Sequence, residues 1–228
     1  MTSVFAHRGA TGAAPENTVE AFLEARRLGV DGVEMDVRRS ADGALVVHHD
    51  AVLDGGRPLS ATAVADLAPH VPLLEEALDA CAGLLVNVEI KNDPGQPGFD
   101  ESESIAHQVA DVLADAGWTE RAIVSSFRPA TAAAARSADP RLAVGLLIPV
   151  TADPRPALAE AAAAGLSAVH PFVAVVDGEL VAEAHAAGLA VHVWTVNHPD
   201  DMARLADLGV EAIITDRPEL ALAVVSGR

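Results

Sequence analysis

The feature that most constrains the fold is a regular alternation of short β-branched runs with alanine-rich helical stretches along the whole chain. We predict strands at 4–8, 32–38, 84–91, 122–127, 143–148, 168–172, 190–196 and 211–215. We predict helices between and after them at 17–28, 73–82, 102–116, 129–138, 154–164, 178–187, 199–208 and 218–226. Eight strand–helix units indicate a parallel sheet closed on itself, an α/β fold of the (β/α)8 TIM-barrel type.

The residues between these units support a single domain spanning 1–228. Glycines follow several predicted helices, at the position where a helix commonly ends in a left-handed residue. No linker or break in composition interrupts the pattern. Asn17 and Asp216 are interpreted as helix caps, and the irregular stretch 50–72 as a loop. The rival fold is a doubly wound open sheet, but the turn at 7–12 lacks the G-x-G-x-x-G pattern typical of its dinucleotide site.

Charge and cysteine content exclude several classes of partner. The formal net charge of −18 disfavours binding to nucleic acid or to anionic lipid surfaces. Apolar runs are too short for a membrane span, so we expect no membrane insertion. The single cysteine, Cys81, rules out an internal disulfide. With no signal-peptide pattern at the start, we expect a cytoplasmic protein.

Acidic and basic residues occur in pairs on two predicted strands. Glu34 and Asp36 are two residues apart, as are Glu89 and Lys91, so the members of each pair share a face. If that face is the barrel interior, three carboxylates and a lysine converge, and their oxygen ligands suit a hard divalent cation. The alternative is an outer face on which the carboxylates pair with neighbouring arginines at 38–39.

Histidines and aromatic residues lie at other predicted strand ends. His7-Arg8 ends the first strand, and His48-His49-Asp50 ends a hairpin-like run. Each has an ordinary structural explanation when taken alone. The chain has only two tryptophans, five phenylalanines and no tyrosine, so aromatic residues at three strand ends hint at a pocket wall. These three residues are Phe127, Phe172 and Trp194.

Taken together, these segments resemble the glycerophosphodiester phosphodiesterase family over nearly the whole chain. The resemblance rests on His7-Arg8-Gly9-Ala10, Pro15-Glu16-Asn17-Thr18, the stretch from Gly29 to Val37 with Glu34 and Asp36, Asp42-Gly43, Val46-Val47-His48-His49-Asp50, Asn87-Val88-Glu89-Ile90-Lys91, Ser125-Ser126-Phe127, Val193-Trp194-Thr195-Val196-Asn197 and Thr215-Asp216-Arg217-Pro218. One departure is the short segment 51–72, where family members often carry a longer insertion.

The resemblance implies a TIM barrel that hydrolyses a small-molecule glycerophosphodiester to sn-glycerol 3-phosphate and an alcohol. It implies a single divalent cation, Mg²⁺ or Ca²⁺ with Mn²⁺ as a third candidate, held by Glu34, Asp36 and Glu89. It implies His7 and His49 as the general acid/base pair. Its remaining implied roles are substrate contacts by Arg8, Lys91, Phe127, His170 and Trp194.

These implied roles suit the chemistry of a phosphodiester, an anion whose alkoxide leaving group needs a proton. The substrate's own neighbouring hydroxyl is the expected first nucleophile, giving a cyclic phosphate. Two alternatives remain: a lysophospholipase D acting on lipid-bearing diesters, and a non-catalytic phosphate-binding barrel. A metal-dependent amidohydrolase is disfavoured, because it should begin with His-x-His on strand one and this chain has His7-Arg8-Gly9.

Overall fold

A computed structural model describes residues 2–227 and contains nine strands and eight α-helices in that range. The strands are β1 (Ser3–His7), β2 (Gly32–Arg39), β3 (Leu45–Val47), β4 (Leu85–Ile90), β5 (Ala122–Ser126), β6 (Ala143–Leu147), β7 (Ala168–His170), β8 (Ala190–Val193) and β9 (Ala212–Thr215). The helices are α1 (Val19–Leu28), α2 (Leu74–Ala80), α3 (Ser104–Asp115), α4 (Pro129–Ala138), α5 (Pro154–Ala163), α6 (Gly178–Ala186), α7 (Pro199–Leu208) and α8 (Pro218–Ser226).

Eight of the strands form a closed parallel barrel. The hydrogen-bonded order runs β1-β9-β8-β7-β6-β5-β4-β2, and β2 pairs with β1 to close the ring. The remaining strand, β3, is antiparallel to the end of β2 and forms a hairpin on the rim. One helix follows each barrel strand, so the predicted (β/α)8 TIM barrel is confirmed. Strands β7 and β8 end earlier than predicted, and beyond them Phe172 and Trp194 form an isolated bridge.

The residues at the helix termini explain where the helices begin. Four helices begin with proline, whose missing N–H costs nothing at a first helical position. The N-cap of α1 is Thr18, whose hydroxyl accepts a hydrogen bond from the Ala21 N–H. Arg217 occupies the N-cap position of α8. The interpretation of Asn17 and Asp216 as helix caps is therefore wrong, and both side chains have partners elsewhere.

The two faces of the barrel strands are filled differently. Outward residues such as Met35 and Val88 pack with the helices in one large apolar layer, and both are fully buried. Inward residues fill the barrel itself, with large side chains placed opposite glycines. A Cβ on Gly32 would lie 2.5 Å from the Phe5 ring, so only glycine leaves room for that ring. The charged residues described below are the upper part of this inward set.

The segment between the hairpin and α2 is a compact loop built on two short 3-10 turns, Leu59–Ala61 and Val64–Asp66. Leu59 is buried and ties the loop to the barrel, and its N–H donates to the Ala51 carbonyl at 2.9 Å. This agrees with the predicted loop at 50–72. Within residues 2–227, no helix combines the length and apolarity needed to cross a bilayer.

Candidate active site at the carboxyl ends of the barrel strands

The pairing register brings the predicted charged residues together at one end of the barrel. His7 on β1 lies opposite Glu34 on β2, and Asp36 lies opposite Glu89 on β4. Lys91 follows Glu89 in the same alternating phase, directly after β4 ends. Because parallel strands end at the same face of a barrel, these five side chains share one site. The alternative in which Glu34 and Asp36 face outward is excluded.

Glu34, Asp36 and Glu89 form a buried cluster of carboxylates. One oxygen from each lies within 4.8 Å of the others, and none of the residues is more than 7% exposed. Burial raises the pKa of Glu34 and of Glu89, and the neighbouring Asp36 charge adds to both increases. Burial alone would also raise the pKa of Asp36, but Lys91 and Arg8 outweigh it and lower that pKa. Burial thus opposes ionisation of Glu34 and Glu89, whereas the two cations favour ionisation of Asp36.

Two cations contact this cluster, both of them through Asp36. Lys91 Nζ is 3.0 Å from Asp36 Oδ1 and 2.5 Å from Glu89 Oε1. Arg8 Nε is 3.2 Å from Asp36 Oδ2. Among residues 2–227, Glu34 Oε2 accepts only the Arg8 backbone N–H, and Glu34 Oε1 is buried without a hydrogen-bond partner. An unpartnered buried carboxylate oxygen beside two other carboxylates is a donor set for a hard cation.

A strained turn after β1 aims Arg8 back into the site. Arg8 has φ 57° and Gly9 has φ 86°, both in the left-handed region. A Cβ on Gly9 would lie 2.7 Å from the Cβ of Ala21, so this position requires glycine. The fold thereby places the Arg8 guanidinium between Asp36 and Glu16, whose Oε1 accepts from Arg8 Nη1 at 2.9 Å.

Asn17 supports the carboxylate cluster, which explains why it is not a helix cap. Its backbone is left-handed, with φ 57°, and its side chain is buried. The amide Nδ2 donates to Asp36 Oδ2 at 2.8 Å, and Oδ1 accepts from the Asp36 N–H at 3.2 Å. The capping pattern involves only neighbouring residues, whereas the actual partner of Asn17 is Asp36 on the next strand. The prediction of a cap from the local motif was therefore wrong.

His7 is held by a carboxylate from the far end of the chain. Its Nδ1 lies 2.6 Å from Asp216 Oδ1, and Asp216 Oδ2 accepts from Asn197 Nδ2 at 2.6 Å. Burial would lower the pKa of His7, but the hydrogen bond to Asp216 and the charge of Glu34 raise it. The Nε2 atom faces Glu34 at 3.8 Å. Asp216 therefore orients a site histidine.

His49 enters the site from the turn that follows the β2–β3 hairpin. Its side chain is 34% exposed, and its Nδ1 lies 2.7 Å from the Oδ1 of the adjacent residue, Asp50. Burial lowers the pKa of His49. His49 lines the same cavity as His7, while its neighbour His48 lines a separate cavity over the 50–72 loop. Only the second histidine of the His-His-Asp motif thus reaches the charged residues.

A cavity of about 210 Å³ joins these groups to an apolar wall. The charged side consists of His7, Arg8, Glu34, His49, Glu89 and Lys91, with Asn87 below them. The other side consists of Phe127, Leu147, Trp194 and Ile214. The Phe127 and Trp194 rings meet edge to face with centroids 5.5 Å apart. Phe127 and Trp194 thus line the cavity, whereas Phe172 packs against the Trp194 ring, with centroids 5.4 Å apart, and is not among the lining residues.

His170 is placed differently from the other predicted site residues. It is completely buried inside the barrel, and it is not among the residues that line the cavity. Its ring lies against His192, with centroids 4.7 Å apart, and occupies the space above Gly145. Its backbone carbonyl accepts a hydrogen bond at 2.7 Å from Nε1 of Trp194, a residue that lines the cavity. His170 therefore lies beneath the cavity wall.

Some site residues escaped the sequence analysis. Asn87 is in phase with Glu89 and Lys91, two and four residues away, so strand periodicity could have found it. Leu147 and Ile214 lie at the ends of β6 and β9, but no sequence signal distinguishes them from core residues.

The chain matches the model of the glycerophosphoryl diester phosphodiesterase family over residues 7–67 and 54–220. Among curated proteins, it is 31% identical to a glycerophosphodiester phosphodiesterase of Caldanaerobacter subterraneus subsp. tengcongensis, with 98% of each chain covered. It is 32% identical to a glycerophosphodiester phosphodiesterase of Bacillus altitudinis, again with 98% of each chain covered.

Solved structures give the same result. The fold superposes with a TM-score of 0.88 on an Oleispira antarctica phosphodiesterase in complex with the product sn-glycerol-3-phosphate. That protein is 25% identical, and the alignment covers 99% of this chain and 97% of the other. A family match within residues 7–220, curated relatives above 30% identity and a shared barrel agree with the site geometry. The chain is an enzyme that belongs to the glycerophosphoryl diester phosphodiesterase family.

Proposed function

We propose that this enzyme hydrolyses glycerophosphodiesters to sn-glycerol 3-phosphate and an alcohol, using one divalent cation and the histidine pair His7 and His49. The observation that carries the proposal is a single cavity lined by two histidines, two cations and two members, Glu34 and Glu89, of the buried three-carboxylate cluster. The bound product in the Oleispira antarctica relative supports the choice of sn-glycerol 3-phosphate.

Glu34, Asp36 and Glu89 are the residues that would hold the cation. The set is all oxygen and buried, and Glu34 Oε1 has no hydrogen-bond partner within the part of the chain that the structure describes. These properties suit Mg²⁺, Ca²⁺ or Mn²⁺ better than zinc, which prefers nitrogen and sulfur ligands. When bound, such a cation neutralises phosphate charge and polarises the phosphoryl group.

Arg8 and Lys91 supply fixed positive charge beside the carboxylates. Both line the cavity, and both already contact Asp36, so their positions are set before substrate arrives. Preorganised cations stabilise the extra negative charge that develops on phosphate oxygens in the transition state. We therefore assign phosphate binding to Arg8 and Lys91, and packing against the glycerol carbons to Phe127 and Trp194.

The two histidines have matching hydrogen-bond arrangements. Each Nδ1 faces a carboxylate, Asp216 for His7 and Asp50 for His49. A neutral imidazole that donates from Nδ1 leaves Nε2 free to accept a proton, and its protonated form donates from Nε2. One histidine can therefore take a proton from the nucleophile while the other gives a proton to the departing alcohol.

The substrate's own 2-hydroxyl is the first nucleophile in this proposal. No serine, threonine or cysteine lines the cavity among the described residues, so the protein offers no activated hydroxyl or thiol there. The 2-oxygen forms a bond to phosphorus as its proton passes to one histidine. The bond from phosphorus to the alcohol breaks, and the alcohol takes a proton from the other histidine. Water then opens the cyclic phosphate while the histidines exchange roles.

A substrate panel tests this function. Glycerophospho-choline, -ethanolamine, -inositol and -glycerol should be cleaved with release of sn-glycerol 3-phosphate, measured by a coupled assay. A lysolipid included in the panel should be cleaved slowly, because the apolar wall consists of only four side chains. Faster cleavage of the lysolipid would favour the lysophospholipase D alternative, and absence of cleavage across the panel would favour the non-catalytic barrel.

The cyclic route has its own test. An analogue in which hydrogen replaces the glycerol 2-hydroxyl should still inhibit competitively but turn over very slowly. A 2-deoxy analogue cleaved at nearly the parent rate would favour direct attack by water and would require new roles for His7 and His49.

A further inference from the structure

Arg38 is a buried cation that the catalytic scheme does not use. It follows Glu34 and Asp36 in the same alternating phase of β2 and is 7% exposed. In the described part of the chain it forms no ion pair, unlike its neighbour Arg39, which pairs with Asp100 at 2.9 Å. Burying a guanidinium is costly unless its N–H groups donate hydrogen bonds, so nearby groups must accept from Arg38.

The hydrogen bonds of Arg38 go to the segment that carries His49. Arg38 Nε donates to the backbone carbonyl of His49 at 2.7 Å, and Arg38 Nη2 donates to Gln96 Oε1 at 2.8 Å. A second bond joins the same two segments, because the His48 N–H donates to the Asp36 carbonyl at 2.9 Å. The strand that presents the carboxylate cluster is thus tied to the turn that presents His49.

We propose that Arg38 is a positioning residue for His49, holding its backbone so that the imidazole faces the carboxylate cluster. The inference rests on the acid/base role proposed above for His49. Charge-assisted hydrogen bonds such as this one are stronger and more directional than neutral ones. Arg38 acts through His49 and makes no contact with substrate in this proposal.

The surroundings of the two histidines explain why His49 needs such a clamp. His7 belongs to a barrel strand, and its carboxylate partner Asp216 is itself held by Asn197. His49 follows a strand of three residues on the rim, and its partner Asp50 is 71% exposed. A histidine on such a turn would sample several orientations, and displacement of a reacting group by about 1 Å can cost roughly 10²-fold in rate.

A double-mutant cycle tests whether Arg38 acts through His49. In the otherwise unchanged enzyme, Arg38→Met should lower kcat roughly 10- to 100-fold and change KM less than about threefold. In a His49→Ala background, the same substitution should lower the residual kcat less than about twofold, because the group that it positions is gone. An equal loss in both backgrounds would overturn the proposal. If Arg38→Met does not fold, Arg38→Gln, which is too short to reach both partners, replaces it with the same expectations.

Arg39→Met is the matched control. It removes an adjacent arginine of the same strand whose guanidinium bonds to Asp100 and Ser104. Its kcat should stay within about twofold of the unchanged enzyme. A loss as large as that of Arg38→Met would show that the strand end as a whole, and not the bond to His49, matters, and would overturn the proposal.

Hydrogen exchange gives a readout that does not depend on activity. Amides in residues 48–53 should exchange faster in Arg38→Met than in Arg39→Met, because the turn loses one of its two bonds to β2 and keeps only the His48–Asp36 backbone bond. Equal exchange in the two variants would overturn the proposal. A His49→Ala enzyme that keeps nearly full activity would instead count against the acid/base role of His49, and the exchange rates would still decide whether Arg38 holds the turn.

Discussion

The two walls of the cavity are built from the same barrel by different choices of inward residue. On β1, β2 and β4 the inward positions near the mouth carry His7, Glu34, Asp36, Glu89 and Lys91. On the opposite side the lining positions carry Phe127, Leu147, Trp194 and Ile214. The charged wall is held by polar contacts across strands, while the apolar wall is held by packing. We infer that the charged wall performs the chemistry and that the apolar wall only binds.

The largest difference between the walls should appear when the histidines are removed. His7→Ala and His49→Ala should each lower kcat roughly 10²–10⁴-fold, the usual loss for a proton-transfer group, or about 3–5 kcal/mol of barrier. His48→Ala should stay within about tenfold, because His48 lines a different cavity. Steady-state kinetics on glycerophosphocholine measures all three. A larger loss for His48→Ala than for His49→Ala would contradict the assignment.

Removing the carboxylate that bonds to each histidine should lower kcat less than removing the histidine itself. Asp216→Asn should lower kcat roughly 10- to 100-fold, because the amide no longer fixes the tautomer and orientation of His7. Asp50→Asn is the matched change at His49 and should cost less, since Asp50 is 71% exposed and is screened by water. Comparison of the two kcat values checks this order. Equal losses would show that the two histidines are supported alike.

A substitution in the apolar wall should affect binding more than chemistry. Phe127→Leu removes the edge-to-face contact with Trp194 and part of the packing surface. We expect KM to rise roughly three- to tenfold, which corresponds to about 1 kcal/mol, with kcat changed less than about threefold. Initial rates over a range of substrate concentrations separate the two constants. A fall in kcat comparable with that of a histidine variant would break the division between the walls.

The histidines beneath the apolar wall should respond to pH through stability and not through catalysis. Burial lowers the pKa of His192 to about 4 and that of His170 well below its ordinary value. As the pH falls below 6.5, these histidines become protonated in the unfolded chain but stay neutral in the folded protein. The free energy of unfolding that they contribute is therefore complete above pH 6.5 and is lost as the pH falls toward 4. Between pH 6.5 and 5.5 this costs about 1 kcal/mol for each such histidine.

Urea unfolding at several pH values measures this slope. With His192→Asn, the free energy of unfolding should fall less steeply as the pH decreases below 6.5. His107→Asn, at an exposed position of α3, should leave this slope unchanged. Identical slopes for the two variants would indicate that His192 becomes protonated in the folded protein.

The sequence predicted the barrel well and the support of the site poorly. The alternation of strands and helices specifies the closed sheet, because each short apolar run can bury both faces only inside a ring of helices. The spacing of Glu34 and Asp36 predicts a shared face, but only the register with β1 and β4 shows that this face is inward. Asn17 and Asp216 satisfied local capping patterns, yet both bond to residues on other strands.

His170 illustrates a different limit. The family resemblance implied a substrate contact for this residue, but the glycine at 145 on the neighbouring strand leaves space for its ring inside the barrel. Such pairings between strands depend on barrel register, which a single strand sequence does not encode.

The central claim is that Glu34, Asp36 and Glu89 bind a hard divalent cation that the reaction requires. The most direct measurement is hydrolysis of glycerophosphocholine after exhaustive chelation, followed by titration with Mg²⁺, Ca²⁺ or Mn²⁺. We expect chelation to abolish release of sn-glycerol 3-phosphate and at least one of these ions to restore it. Glu89→Gln should bind the restoring ion more weakly by calorimetry. Full activity after chelation, with no ion bound to the unchanged enzyme, would contradict the account.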